Sequence, residues 1–299
     1  MDLLRGKAVV ITGAGCGLGE AYAVHAARAG ACVLVNDIDG DLAEAVAAGI
    51  TREGGRAVAS SQSVRDPDQA SAVVERCVAQ FGRIDGLVNN AGLHYEALPW
   101  EEDVDAAREL IEVNVLGAVY CGIAAARVMR WQRAGSIVNV ASGSLLGQRR
   151  ASTYSASKGA VASLTYSWAL DLEGVGVRVN GICPLAWTRM VERSPAARLR
   201  CTPEHTAERV APLVTYLLSD RAGGITGQLI RFTGEQLHIM RHPGFKDPVL
   251  RGTGWDTETI AAAFEGVLGD FLEPCGQEKR MSPGLRARKP EPTGLSCGD

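Results

Sequence analysis

The residues of this chain best suited to chemistry are a tyrosine and a lysine four positions apart, Tyr154 and Lys158. In a helix, that spacing puts both side chains on one face. A tyrosine in water titrates near about 10, and a nearby fixed cation favours its phenolate form. The pair therefore suits proton transfer with a substrate hydroxyl or carbonyl group near neutral pH.

A glycine-rich segment near the N-terminus indicates a nucleotide cofactor. An apolar run over residues 8–11 precedes Thr-Gly-Ala-Gly-Cys-Gly-Leu-Gly at 12–19, and an alanine-rich stretch follows. This order predicts a strand, a turn and a helix. Glycines permit positive φ and close backbone approach, and the amides at a helix start attract a pyrophosphate. The spacing of Gly13, Gly17 and Gly19 is GxxxGxG, which differs from the commoner GxGxxG.

Asp37 indicates which dinucleotide binds. It follows a second apolar run at 32–35 and lies 18 residues after Gly19, where an acid accepts hydrogen bonds from an adenosine ribose. An acid there repels a 2′-phosphate, and no arginine or lysine stands between Ala31 and Ile50 to offset it. The residue therefore favours NAD over NADP. The alternative is that Asp37 caps the helix that follows Gly40.

Taken together, these features resemble the short-chain dehydrogenase/reductase family over residues 5 to 235. The further motifs that agree, in the family's order, are Asp85 with Asn89-Asn90-Ala91-Gly92, Asn114 between two valines, Ser142 after an apolar strand, Tyr154 with Lys158, Asn180 with Pro184, and Ile225-Thr226-Gly227-Gln228.

The resemblance implies roles for the matching residues. Tyr154 would exchange the hydroxyl proton, Lys158 would lower the tyrosine pKa and bind the nicotinamide ribose, and Ser142 would hold the substrate oxygen. Asn114 would hold a water that relays protons to solvent. The structural alternatives are that Ser142 is a turn residue at the end of a strand and that Asn114 is a buried amide hydrogen-bonded to backbone. The implied cofactor-binding residues are Gly13, Gly17, Leu18, Gly19, Asp37, Asn90, Tyr154, Lys158 and Thr188.

Some positions depart from the family pattern. The family usually has Pro-Gly and then a short run to a threonine that binds the carboxamide, whereas here Leu185 follows Pro184 and the threonine is Thr188. We therefore expect altered nicotinamide contacts. Ser63 stands where relatives offer an aspartate to the adenine amine, which weakens one adenine contact. Ser144 is a less favoured substitute for the carbonyl-binding serine.

The sequence offers few indications of substrate. In the family, the loop after Thr188 governs specificity, and its brevity before Pro203 predicts an open cleft. Arg149 and Arg150 lie between Ser142 and Tyr154, so they either meet a carboxylate or phosphate of the substrate or remain solvated loop residues. His94 and Tyr95, after the Asn-Asn-Ala-Gly segment, either face the substrate or pack.

Alternating strand and helix patterns predict an α/β fold with a doubly wound parallel sheet, a Rossmann fold. Strands are expected near 7–12, 31–36, 56–60, 84–88, 135–141, 175–181 and 227–232. We expect one domain over residues 1–235 and a C-terminal extension over 236–273 with a helix at 257–264. Residues 274–299, rich in Gly, Pro, Lys and Arg, form a tail that we expect to be disordered. Its basic cluster at 279–289 is expected to be solvated, with an acidic partner as the alternative.

Composition excludes several classes of protein. The chain has eight cysteines without a C-x-x-C pair, which argues against a zinc ribbon or disulfide scaffold and for a reducing cytoplasm. Five histidines without HExxH disfavour a metal site. A net charge of −3 gives no broad electrostatic basis for binding nucleic acid, and no apolar run reaches the roughly 20 residues of a membrane span.

The sequence therefore predicts an NAD-dependent oxidoreductase that interconverts a small secondary alcohol and a ketone, as a homotetramer or homodimer. The alternatives are an NADP-preferring ketoreductase and a catalytically idle NAD-binding regulator.

Overall fold

The computed structural model describes residues 2–199 and 201–280. Eight strands form one sheet: β1 Ala8–Thr12, β2 Cys32–Asn36, β3 Arg56–Ser60, β4 Gly86–Asn89, β5 Gly135–Val140, β6 Val177–Pro184, β7 Leu229–Phe232 and β8 Leu237–Ile239. The α-helices are α1 Gly17–Arg28, α2 Gly40–Arg52, α3 Pro67–Phe81, α4 Val104–Ile111, α5 Gly117–Gln132, α6 Ser152–Glu173, α7 Arg189–Arg193, α8 Pro195–Arg198, α9 Ala207–Leu218 and α10 Thr257–Gly266.

The strand order β3-β2-β1-β4-β5-β6-β7-β8 confirms the doubly wound α/β fold. Strands β1 to β7 are parallel, and β8 pairs antiparallel with β7. The chain leaves β1 in one direction for β2 and β3, and later returns to its other side with β4. In such sheets a crevice opens beyond the carboxyl ends of the strands at this reversal, and ligands bind there.

The sheet is covered on both faces, which explains why its central strands are apolar throughout. Along β1, Val9 and Ile11 pack into the core that contains residues of α1, α2 and α9, whereas Ala8 and Val10 pack into the core with α3 and α5. This alternation follows from the two-residue period of a strand.

A helical run over residues 104–132 is long and apolar enough to cross a membrane by length and composition alone. It comprises α4, a π-helical turn at Glu112–Leu116 and α5. Within α5, Cys121, Ala125 and Met129 are buried in the core against the sheet. This packing is that of a core helix.

The C-terminal extension adds β8 and α10 to the sheet domain. Asp256 and Thr259 form a reciprocal capping box, which explains why α10 begins at Thr257 as expected. The helix ends at Gly266, two residues beyond the expected end at 264. Residues 275–280 form a turn closed by backbone hydrogen bonds between Cys275 and Arg280, where the sequence predicts disorder. The rest of the expected tail, 281–299, lies outside the described residues.

Candidate active site

Helix α6 carries the tyrosine and lysine on one buried face. Tyr154 and Lys158 are both buried, and the Lys158 Nζ lies 5.7 Å from the centre of the tyrosine ring. The Lys158 ammonium donates a hydrogen bond of 2.7 Å to the carbonyl oxygen of Val140 at the end of β5. Strand β5 therefore fixes the position of the ammonium beside the phenol.

Burial controls the protonation of both groups. Burial raises the pKa of Tyr154 to about 12, while a hydrogen bond with Ser142 acts in the opposite direction. Burial lowers the pKa of Lys158 to about 8. At neutral pH the phenol is therefore protonated, and the lysine is mostly charged. Loss of hydration at Tyr154 therefore outweighs its hydrogen bond with Ser142, and the lowering of the tyrosine pKa by Lys158 that the family implies stays a prediction.

Ser142 lies where β5 gives way to a 3-10 turn at Gly143–Leu146. Its Oγ accepts a 3.1 Å hydrogen bond from the Ser144 amide and contacts the Ser144 hydroxyl at 3.1 Å. The Ser144 hydroxyl in turn donates to Gln148 at 2.7 Å. Ser142 is thus both a strand-end turn residue and the hydrogen-bond partner of Tyr154, whereas the Ser144 hydroxyl is directed to Gln148.

Asn114 lies within the π-helical turn and is buried. Its Oδ1 accepts from the Leu93 amide at 2.7 Å, and its Nδ2 donates to the Leu93 carbonyl and to Ser157 Oγ at 3.0 and 3.1 Å. The side chain therefore ties the segment after β4 to α6, as the buried-amide alternative anticipates. In the described part of the chain, Asn114 is not among the residues that line the cavity.

The glycine-rich turn has the geometry of a phosphate-binding loop. Gly13 and Gly17 adopt φ of 62° and 60°, which favours glycine, and Asn90 Nδ2 donates to the Gly13 carbonyl at 2.8 Å. A Cβ on Gly19 would lie 2.1 Å from that carbonyl oxygen, so only glycine fits. Cys16 precedes α1 without a side-chain cap, which leaves the first amides of the helix available to an anion.

Asp37 faces the same cavity at the end of β2. Its two carboxylate oxygens accept from the amides of Gly15 at 2.8 Å and Asp39 at 3.1 Å, which orients the group while leaving lone pairs for further donors. Asp39, and not Asp37, caps α2 by accepting from the Leu42 amide. The pKa of Arg189 is raised by a hydrogen bond with Cys16 and by the nearby carboxylates of Asp37 and Asp39. A cation from a distant part of the chain therefore approaches Asp37.

One cavity of about 660 Å³ joins these elements. The candidate residues that line it are Gly13, Gly17, Leu18, Asp37, Asn90, His94, Ser142, Tyr154, Lys158 and Thr188. Gly19 is outside the lining in the described structure, and its place is in the packing of α1 against the turn.

The two loop arginines lie outside the cavity lining, in agreement with the solvated-loop alternative. Neither Arg149 nor Arg150 lines the cavity within the described residues, and Arg150 pairs with Glu101 at 3.3 Å. Both residues are exposed. His94 does face the cavity and meets the Tyr154 ring edge-on at 4.6 Å, whereas Tyr95 packs beside Tyr154 outside the lining.

Comparison with known proteins identifies the family. The family model described as short chain dehydrogenase matches residues 7–198. A cis-4-hydroxycyclohexanecarboxylate dehydrogenase of Sinomonas cyclohexanicum is 37% identical, over 76% of this chain and 95% of that protein. The chain belongs to the short-chain dehydrogenase family.

Two further similarities agree with this assignment. The 3-oxoacyl-acyl-carrier-protein reductase FabG of Thermotoga maritima is 36% identical, over 77% of this chain and 98% of that protein. A short chain dehydrogenase from Mycobacterium avium, solved as a crystal structure, superposes with a TM-score of 0.80 at 30% identity, covering 94% of this chain and 98% of that one. As a short-chain dehydrogenase, the protein is an oxidoreductase that acts on alcohols or ketones with NAD(H) or NADP(H).

The sequence did not reveal several cavity residues of this short-chain dehydrogenase. Arg231 of β7, Met240 after β8, and Gln277 with Glu278 of the C-terminal turn all line the cavity. An arginine inside an otherwise apolar strand was a signal that could have pointed to Arg231. The turn at 275–280 has no such signal in the sequence. Its backbone N–H at Gln277 donates to the Gly147 carbonyl at 2.9 Å, and only the folded chain brings these two residues together.

The segment after Thr188 is also more structured than a short open loop. It forms α7 and α8, from which Met190, Val191 and Ala197 line the cavity beside Thr188. The Thr188 methyl carbon lies 3.7 Å from the point where a Cβ on Gly17 would stand. Thr188 therefore remains next to the glycine turn although the glycine after Pro184 is missing.

Proposed function

We propose that the protein is an NAD-dependent dehydrogenase that interconverts a secondary alcohol and a ketone, with Tyr154 as the proton donor and acceptor. The observation that carries the proposal is one cavity with two chemically distinct ends. Tyr154, Ser142 and Lys158 meet at one end, and the glycine turn and Asp37 lie at the other. The two ends match the two halves of a nicotinamide dinucleotide.

The residues present fit such a cofactor. The uncapped start of α1 suits the pyrophosphate, and the Asp37 carboxylate is oriented to accept from ribose hydroxyls. Lys158 would bind the nicotinamide ribose, and Thr188 would bind the carboxamide, since both line the cavity. When bound, a nicotinamide dinucleotide supplies or accepts the hydride at the substrate carbon.

In the direction of ketone reduction, the chain's own residues handle the proton and the charge. Tyr154 gives its phenolic proton to the carbonyl oxygen as negative charge grows there. The Ser142 hydroxyl accepts from the Ser144 amide and donates to the Ser144 hydroxyl, and it would turn its proton from Ser144 to the same substrate oxygen. The Lys158 ammonium, 5.7 Å from the ring centre, stabilises the phenolate that remains. Alcohol oxidation reverses these proton transfers.

Cofactor choice rests on Asp37. Its carboxylate accepts two backbone hydrogen bonds, and a 2′-phosphate beside it would be repelled. We therefore expect kcat/KM with NAD to exceed that with NADP by at least about tenfold, or ~1.4 kcal/mol.

An NADP-preferring ketoreductase is the second candidate, because Arg189 approaches Asp37 and offers a cation to a phosphate. The test is steady-state kinetics with both cofactors, over cyclic and acyclic secondary alcohols and the matching ketones. Alcohol-dependent reduction of NAD supports the proposal, and a preference for NADP that Arg189→Ala abolishes supports the second candidate. Tight NAD binding without turnover of any of these compounds would favour the idle regulator.

A further inference from the structure

Arg231 directs a cation into the substrate end of the cavity from the sheet itself. It lies in β7 opposite Cys183 of β6, and it lines the cavity. Side chains alternate along a strand, so Arg231 shares a face with Leu229, which packs with Cys183 and residues of α6. Both Arg231 and Lys158 lower the pKa of the Cys183 thiol, which burial raises to about 12. The guanidinium is therefore part of the surroundings of the catalytic tyrosine.

The guanidinium lies next to the residue that follows the carbonyl-binding serine. A Cβ placed on Gly143 would stand 2.9 Å from Arg231 Nη1 and 3.1 Å from Gln277 Nε2. Consecutive Cα atoms are about 3.8 Å apart, so these N–H groups lie within the length of a small molecule from the Ser142 hydroxyl. A cationic fork and an amide thus border the cavity within a small molecule's length of the Ser142 hydroxyl.

Within the described part of the chain, the acids that line the cavity form no ion pair with Arg231. Glu278 lines the same end but forms an ion pair with Arg280 at 2.5 Å, and Asp37 lies at the glycine turn. Among residues 2–199 and 201–280, no carboxylate lies within ion-pair distance of Arg231. The guanidinium presents several donors in a planar fork that matches a carboxylate.

We propose that Arg231 binds a carboxylate of the substrate, so that the protein acts on hydroxy acids and keto acids whose acid group is separated from the reacting carbon. The proposal rests on the proposed function for the reacting end of the site, and it adds a residue that selects the substrate. The Gln277 side chain borders the same part of the cavity from the C-terminal turn.

A binding experiment tests this without requiring turnover. Calorimetry of the full chain saturated with NAD compares cyclohexanecarboxylate with the neutral cyclohexanecarboxamide. Wild type should bind the acid more tightly, and Arg231→Gln should weaken acid binding by about ten- to hundredfold while changing amide binding little. Arg149→Ala removes the same charge outside the cavity and should leave both affinities unchanged. Arg231→Lys, which keeps the charge but not the fork, should fall in between.

Kinetics complete the test with 4-hydroxycyclohexanecarboxylate and its carboxamide. Arg231→Gln should raise KM for the acid by the same factor and leave kcat/KM for the amide near that of wild type. No preference of wild type for the acid, or equal losses for acid and amide in Arg231→Gln, would overturn the proposal even if alcohols are oxidised. Acid binding that depends on Arg231 without turnover of any alcohol would instead contradict the proposed function alone.

Discussion

Burial shifts the pKa values of Tyr154 and Lys158 in opposite directions. The phenol has its pKa raised to about 12, so it keeps the proton that ketone reduction consumes. The lysine has its pKa lowered to about 8, so its charge is lost just above neutral pH. The difference arises because desolvation disfavours the charged form of each group, which is the deprotonated phenol but the protonated amine.

The rate of ketone reduction should therefore depend on the protonation of Lys158. Below pH about 8 the ammonium stabilises the phenolate that forms, and above it this stabilisation is lost, so kcat/KM should fall as pH rises through about 8. Two neighbours titrate outside this window, since the pKa of Cys183 is raised to about 12 and burial lowers that of His94 below 6.5.

The measurement is a profile of kcat/KM for ketone reduction against pH, with Lys158→Arg as the matched variant. Arginine stays charged throughout, so the variant should lose the fall near pH 8 even if its rate is lower. A flat wild-type profile, or a variant that keeps the same fall, would contradict the assignment to Lys158.

At the scale of elements, the strands that have a local sequence pattern are predicted correctly. All seven expected strands occur, because each is a short apolar run bounded by turn residues. The three-residue β8 was not expected, since it is exposed and follows β7 through a tight connection. Order over 275–280 was also missed, because it depends on a contact with Gly147 that is far away in the sequence.

The residues of the candidate site also fall into two groups, those that motif spacing indicates and those that only the fold brings to the cavity. Motif spacing indicates Tyr154, Lys158 and Ser142, which the structure brings around one cavity. Arg231 and Arg189 reach the cavity through tertiary packing, and no spacing rule links them to it. Proximity in sequence to Ser142 and Tyr154 does not decide the place of Arg149, which is exposed and outside the cavity lining.

The turn between β1 and α1 should be intolerant of any side chain at Gly19. A Cβ there would approach the Gly13 carbonyl oxygen at 2.1 Å and the Ala14 Cα at 2.8 Å, and backbone atoms cannot move aside cheaply. Gly19→Ala should lower the free energy of unfolding by ~1–3 kcal/mol and weaken NAD binding by at least about tenfold.

Thermal unfolding and calorimetric titration with NAD measure both effects. Gly49→Ala is the matched control, because its Cβ would meet only the Arg52 guanidinium, at 4.0 Å, on the helix α2. That change should be neutral or stabilise by up to ~1 kcal/mol. Normal NAD affinity in Gly19→Ala would show that the turn does not hold the cofactor.

At the scale of the whole molecule, the start of the expected tail lies at the candidate active site. The turn at 275–280 bonds to Gly147 and places Gln277 and Glu278 in the cavity lining, although the sheet domain ends about forty residues earlier. The turn at 275–280 therefore forms part of the wall of the cavity proposed to bind the substrate. The expected homotetramer or homodimer and the cytoplasmic location stay predictions.

Shortening the chain should separate substrate binding from folding. A chain that ends at residue 274 lacks the turn and should show a KM raised by about tenfold or more, from the loss of polar contacts, with NAD affinity and Tm near those of the full chain. A chain that ends at residue 280 keeps the turn and serves as the control. If both shortened chains have the KM of the full chain, the turn does not form part of the substrate site.

The central claim is that Tyr154 transfers the proton, and removing its hydroxyl tests this most directly. Tyr154→Phe should lower kcat by about 10²–10⁴, the range for loss of a general acid or base, and leave the Kd for NAD within a few fold. Tyr95→Phe is the matched control, since Tyr95 packs beside Tyr154 outside the cavity lining and should keep kcat near that of wild type. The measurement is kcat with a verified alcohol, alongside NAD binding, for wild type and both variants. Near-normal kcat in Tyr154→Phe would contradict the account.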